Sequence, residues 1–140
     1  MLGQLGLILS SMKMTSTANY GTIAAWETAA ISEELRANIP SLASFGNPAN
    51  PQQDVNCYQN IGCATTTLVN NQVAAWSTRL TQELPGGSGV ICQDNSAPIT
   101  GNAGGWNCSG GAADPFVIKI CWDESRLNMT AIPVCVYTRL

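Results

Sequence analysis

The chain has 140 residues, a net charge of −3 and a pI near 4.6, with only 11% of its residues charged. That length fits one domain with a real core. The six basic residues lie scattered from Lys13 to Arg139 with no run among them, which excludes nucleic-acid binding, since that needs clustered Lys and Arg. The lack of any histidine excludes Ser-His-Asp triads, Cys-His dyads and most catalytic zinc sites.

The opening stretch, MLGQLGLILSSMKMTSTANYGTIAAWETAAISEELRANIP, reads as one long amphipathic helix over residues 1–39, stopped by Pro40. From Gly21 onward Ala24, Ile31, Leu35 and Ile39, with Thr28 between them, recur at spacings of three and four and draw one face that needs a core to cover. Ile23, Trp26 and Ala30 form a second apolar group turned well away from the first, so the helix is expected to have more than one partner. No cap precedes Leu2, Leu5, Leu7, Ile8 and Leu9. At ~1.5 Å per residue the segment spans about 55 Å, longer than a domain of this size is wide, so its first turns should project.

Residues 40–140 are expected to hold a loop, a short helix and a sheet in the same single domain. From Ser41 to Gly62 the composition turns to Pro, Asn, Gly, Ser and Gln, which reads as a loop. Cys57 and Cys63 are close enough to close a small ring within it, worth roughly 2 to 3 kcal/mol in the chain-entropy model. Asn70 or Asn71 offers an N-cap to a second helix carrying Val73, Trp76, Leu80 and Leu84, and the glycines of LPGGSG then reverse the chain.

Val90 to Cys92 begins a first strand. A polar excursion follows, too rich in Gly, Asn and Ser to be core. Phe116 to Trp122, FVIKICW, is the strongest strand, and its near-continuous apolarity predicts a central position. The last strand is Val134 to Thr138. The fold class is therefore α+β, a long N-terminal helix packed on a small antiparallel sheet of three or four strands with disulfide-stapled loops.

Six cysteines without histidine, and without a C-x-x-C pair, point to disulfides and to an oxidising compartment. They allow fifteen pairings, among which the sequence does not choose. Cys121 and Cys135, in strands joined by one loop, could face each other, and Cys92 with Cys108 would then tie the Gly-rich excursion back to the sheet. No signal peptide is visible, and Leu2 to Leu9 is too short to cross a bilayer. The two readings reconcile if the chain begins inside an N-terminal membrane helix, leaving a soluble remainder.

Candidate chemistry is sparse. Asp114, Asp123 and Glu124 could form a glycosidase pair, but all lie where turns and strand ends place acids anyway, so the chain is read as non-enzymatic and without cofactor. Asp94, Asn95 and Asn102 lack the spacing of a calcium loop. Asn107 and Asn128 each open a glycosylation tripeptide. Trp76 and Trp122 belong to apolar patterns and read as core. Trp106, beside Cys108, covers a disulfide or makes a contact. Trp26 packs on the 41–62 loop or meets a partner.

Four pieces in order, IAAWETAAISEELRANIP, AAWSTRLTQELPGGSG, FVIKICW and the terminal CVYTRL, resemble the PilV-type minor pilins of bacterial type IV pili. MLGQLGLILSSMK looks like the latter part of the pilin membrane helix, while the prepilin cleavage site, its following Phe and the acidic residue of the membrane segment are not present. The resemblance implies a pilin-like fold and a non-enzymatic part in the complex that primes and tips the pilus. It implies other minor pilins and a large tip adhesin as partners. The implied location is the inner membrane facing the periplasm and then the pilus tip. Leu2, Leu5, Leu9 and Met12 would carry helix packing between subunits, extended by Ile23 and Trp26. A type II secretion pseudopilin and a secreted disulfide-stapled adhesin or lectin-like module are the alternatives.

Overall fold

A computed structural model describes residues 2–42, 53–124 and 133–140; within its first helix the side chains of residues 2–7 and 9–17 lie outside the description. The elements are α1 (Leu2–Arg36), α2 (Ile39–Leu42), a 3-10 turn (Val55–Tyr58), α3 (Thr65–Glu83), β1 (Ser88–Gln93), β2 (Phe116–Asp123) and β3 (Pro133–Arg139). The three strands form one antiparallel sheet in the order β1-β2-β3, so the apolar FVIKICW segment is central as expected.

The period of two along β2 assigns its faces. Ile118, Ile120 and Trp122 join Ile91 of β1 against Ala24, Ile31 and Leu35 of α1 and Val69, Val73, Trp76 and Leu80 of α3. Val117, Lys119 and Cys121 point the other way and are equally buried, so β2 is covered on both sides. At ~25 cal/mol per Å² each fully buried Leu, Ile or Val on the helix side contributes roughly 1.5 to 3 kcal/mol. Arg79 of α3 donates from Nε to Glu27 of α1 at 3.1 Å and ties the two helices together.

Two element boundaries differ from the sequence reading. The long helix ends at Arg36, not at residue 39. Asn38 N–H turns back to Leu35 O and the Asn38 amide donates to Glu34 O, which closes the last turn. Pro40 then sits in the first turn of α2, where its missing N–H costs nothing. The break takes Ile39 off the core stripe and leaves it 49% exposed, and Leu42 is buried instead.

The second helix begins at Thr65 rather than at Asn70 or Asn71. Asn71 is buried mid-helix, its Oδ1 accepting from Asp54 N–H at 2.6 Å and its Nδ2 donating to Asp54 O at 3.0 Å. It clamps the chain ahead of the 3-10 turn instead of capping a helix. The predicted 41–62 loop thus contains α2 and the 3-10 turn; residues 43–52 lie outside the described set. β1 and β3 are a little longer than predicted.

The bridges are Cys57–Cys63, Cys92–Cys108 and Cys121–Cys135. Cys121 and Cys135 are direct cross-strand partners in the β2–β3 register.

Candidate interaction surface

The segment between β1 and β2 folds back over the sheet face that the helices leave open, and a buried lysine is its central anchor there. Lys119 projects from the middle of β2 on that face. It is 0% exposed, and its ammonium donates to Asp94 Oδ2 at 2.5 Å, Thr100 O at 2.7 Å and Trp106 O at 2.6 Å. Three acceptors match the three donors of an ammonium. Tyr137 of β3 donates its hydroxyl to Gly101 O at 2.8 Å, and Cys108 is bridged to Cys92.

Burial by itself raises the pKa of Asp94. The hydrogen bond from Lys119 and those from the Ser96 N–H and hydroxyl outweigh it and hold the carboxyl at about 2 against an ordinary 3.8. A depressed folded pKa gives stability that is complete above the unfolded value and is lost as pH falls through the folded one. The denaturation midpoint should therefore drop between pH about 4 and about 2, and Asp94→Asn should flatten that part of the curve; an unchanged slope in urea titrations would show that the pair does not stabilise the fold.

This clamp also accounts for the acidic and amide residues that the sequence raised as calcium ligands. Asp94 is engaged by Lys119, Asn95 donates to Asp114 at 2.9 Å, and Asn102 closes a tight turn with Gly104 and Gly105. Among the described residues no cluster of acids and cysteines could hold a metal ion. Asp114 precedes β2 and Asp123 ends it, roughly 30 Å apart along an extended strand, so the two do not share a cleft. Asn107 is exposed with φ of 50°, and Asn128 lies outside the described residues.

What remains is surface. The buried residues of α1 begin, among those described, at Tyr20. Ile8 is 55% exposed and Trp26 74% exposed; eighteen residues apart, they stand on one line of the helix five turns from each other. Trp26 has no cover from the described part of the 41–62 loop. Ile23, grouped with it in sequence, is half-buried against the core. The backbone of Leu2, Leu5, Leu9 and Met12 is helical, while their side chains lie outside the described set. Trp76 and Trp122 are core, and Trp106 is half-buried. No described helix is long and apolar enough to cross a membrane.

Sequence reasoning missed a second exposed apolar group, Val55, Tyr58, Ile61 and Leu68, around the Cys57–Cys63 ring and the start of α3. The ring fixes Ile61 at 93% exposure, and the only sequence signal was an isoleucine within a seven-residue cysteine loop. No family model matches the chain, and no curated protein or solved structure matches it.

Proposed function

We propose that the protein is a minor pilin of a type IV pilus, a non-enzymatic subunit that joins other minor pilins helix to helix and helps present an adhesin at the tip. The observation that carries the reading is the division of α1: a lower part from Tyr20 to Leu35 that buries one face in the domain, and the outward Ile8 and Trp26, exposed on one line of the helix. An indole left 74% in water on a rigid helix is the kind of anchor that interfaces use. Three disulfides fit a domain working in the periplasm and at the cell surface. A type II secretion pseudopilin would use the same helix line. The lectin-like alternative has less to stand on, since Trp106 is half-buried and its carbonyl is engaged by Lys119.

Trp26→Ala tests the reading. Folding should change by less than about 0.5 kcal/mol, as for other exposed positions. Association with the minor pilins encoded in the same operon, followed by pull-down and titration, should weaken by about thirtyfold, the equivalent of roughly 2 kcal/mol for a tryptophan anchor. Unchanged association would sink the helix-line interface, and a steep loss of thermal stability would make Trp26 a structural residue.

A further inference from the structure

We propose that the outer edge of β3, with the groove beside it, is an acceptor slot for one extended strand of a partner protein. The β2–β3 ladder decides which backbone groups face outward. Leu140 N–H donates to Phe116 O, so the pairs at 118/138, 120/136 and 122/134 are the hydrogen-bonded ones. The Cα atoms of Cys121 and Cys135 are 4.1 Å apart, the close spacing of a non-hydrogen-bonded pair. Cys135, Tyr137 and Arg139 therefore aim their N–H and C=O groups away from β2, and no described residue pairs with those groups.

The two sheet edges are treated differently. On β1 the outward carbonyl of Gln93 accepts from Gly110 N–H and from the Ser109 hydroxyl. β3 is lightly guarded: it has no lysine and no bulge in its seven-residue register, with a proline only at its first position and an arginine only at its last. Its edge is also held in shape, because Cys135 is bridged to Cys121 and the Tyr137 hydroxyl is tied to Gly101. A rigid edge spends little entropy on ordering when a strand arrives.

The groove supplies the other half of the slot. It has a volume of about 420 Å³ and runs between Gly21, Ala25 and Ala29 of α1 and Val136 and Thr138 of β3. Among the described residues its lining comes from α1 and β3 and not from β2, which sets it at the β3 edge of the helix-covered face. A strand bonded to β3 would lie ~4.8 Å from it and turn every second side chain under α1. The small residues there leave depth for Ala, Thr or Val, and nothing lies within 4 Å of where a Cβ on Gly21 would stand. A cavity this size could also take a small molecule. The charges lining it, Glu33 and Arg36, pair with each other at 3.2 Å, whereas the row of open backbone groups beside it matches an extended chain. Trp26 does not line the groove, so the slot and the helix line succeed or fail separately.

The test extends the full chain past Leu140 with an Asn-Gly turn and an alternating Thr-Val heptapeptide. The short tether holds the added strand at millimolar effective concentration. Amide exchange at Cys135, Tyr137 and Arg139 should be fast in the unextended chain and slow by about tenfold or more in the extended one. Replacing each Val of the added strand by Pro, or filling the groove with Ala29→Trp, should restore fast exchange. The proposal is overturned if the tethered strand leaves those amides unprotected, or if they are already as protected as Val134, Val136 and Thr138 in the unextended chain at dilution. Protection that grows with the concentration of the unextended chain would assign the slot to a second copy and overturn the partner strand.

Discussion

Lys119→Met should lower the stability of the protein by roughly 3 to 5 kcal/mol, the cost of leaving one member of a buried ion pair without the other. Lys119 and Asp94 are both fully buried, and the substitution strips the donor from Asp94 Oδ2 and from the carbonyls of Thr100 and Trp106 together. Asp94 Oδ1 keeps its bonds from Ser96, so the carboxylate retains part of its support. The double variant Lys119→Met with Asp94→Leu should be more stable than the single one, because replacing both charges removes the desolvation cost along with the pair. Urea denaturation of the two singles and the double gives the coupling directly; strictly additive losses would mean that the two residues do not depend on each other. Amide exchange should show the damage concentrated in the segment 95–114, which loses its central anchor while Cys92–Cys108 and the bond from the Tyr137 hydroxyl to Gly101 still hold it.

Trp76→Ala should cost about 3 to 5 kcal/mol by a different route, an unfilled cavity in the helix-to-sheet core. Trp76 is 0% exposed and lies over Gly89, where a Cβ would run into its ring and into Leu80. Flattening the strand at one glycine lets the largest side chain of α3 rest directly on β1. Its indole N–H has no hydrogen-bond partner among the described residues, so Trp76→Phe, which keeps most of the apolar volume and removes that orphan donor, should cost far less than the alanine. Similar denaturation midpoints for the two variants would mean that the ring contributes little packing there.

The elements legible in the sequence were those whose evidence is periodic. Ala24, Ile31 and Leu35 marked the buried stripe of α1, and the β-branched run of β2 declared its central place. Ile39 was misplaced because periodicity carries on past a break that depends on the Asn38 amide and on a proline placed where a helix starts. Asn71 looked like a cap because capping and loop-clamping use the same amide, and only tertiary structure brings Asp54 to it. Lys119 was visible as the lone charge of an apolar strand, which should have demanded a buried acid. Asp94, two residues past Cys92, was the available partner, but sequence spacing of 25 residues does not by itself bring them together. The surface residues were hardest: exposure of Val55, Tyr58 and Ile61 follows from where a cysteine ring sits, which no local pattern encodes.

The way the Lys119 clamp is built bears on how this protein can change over time. Two of the three acceptors at its ammonium are main-chain carbonyls, and the hydroxyl of Tyr137 also seeks a main-chain carbonyl. Every amino acid supplies such a group, so Ala103, Gly104 and Gly105 at the tip can be exchanged without loosening the attachment, whereas Gly101, where a Cβ would meet the Trp106 carbonyl, and Asn102, whose amide closes the turn, are held to their identities. The segment is thus fastened by its backbone and open to drift at its tip, which lets the outward chemistry of that face diversify between lineages while the sheet beneath it stays the same.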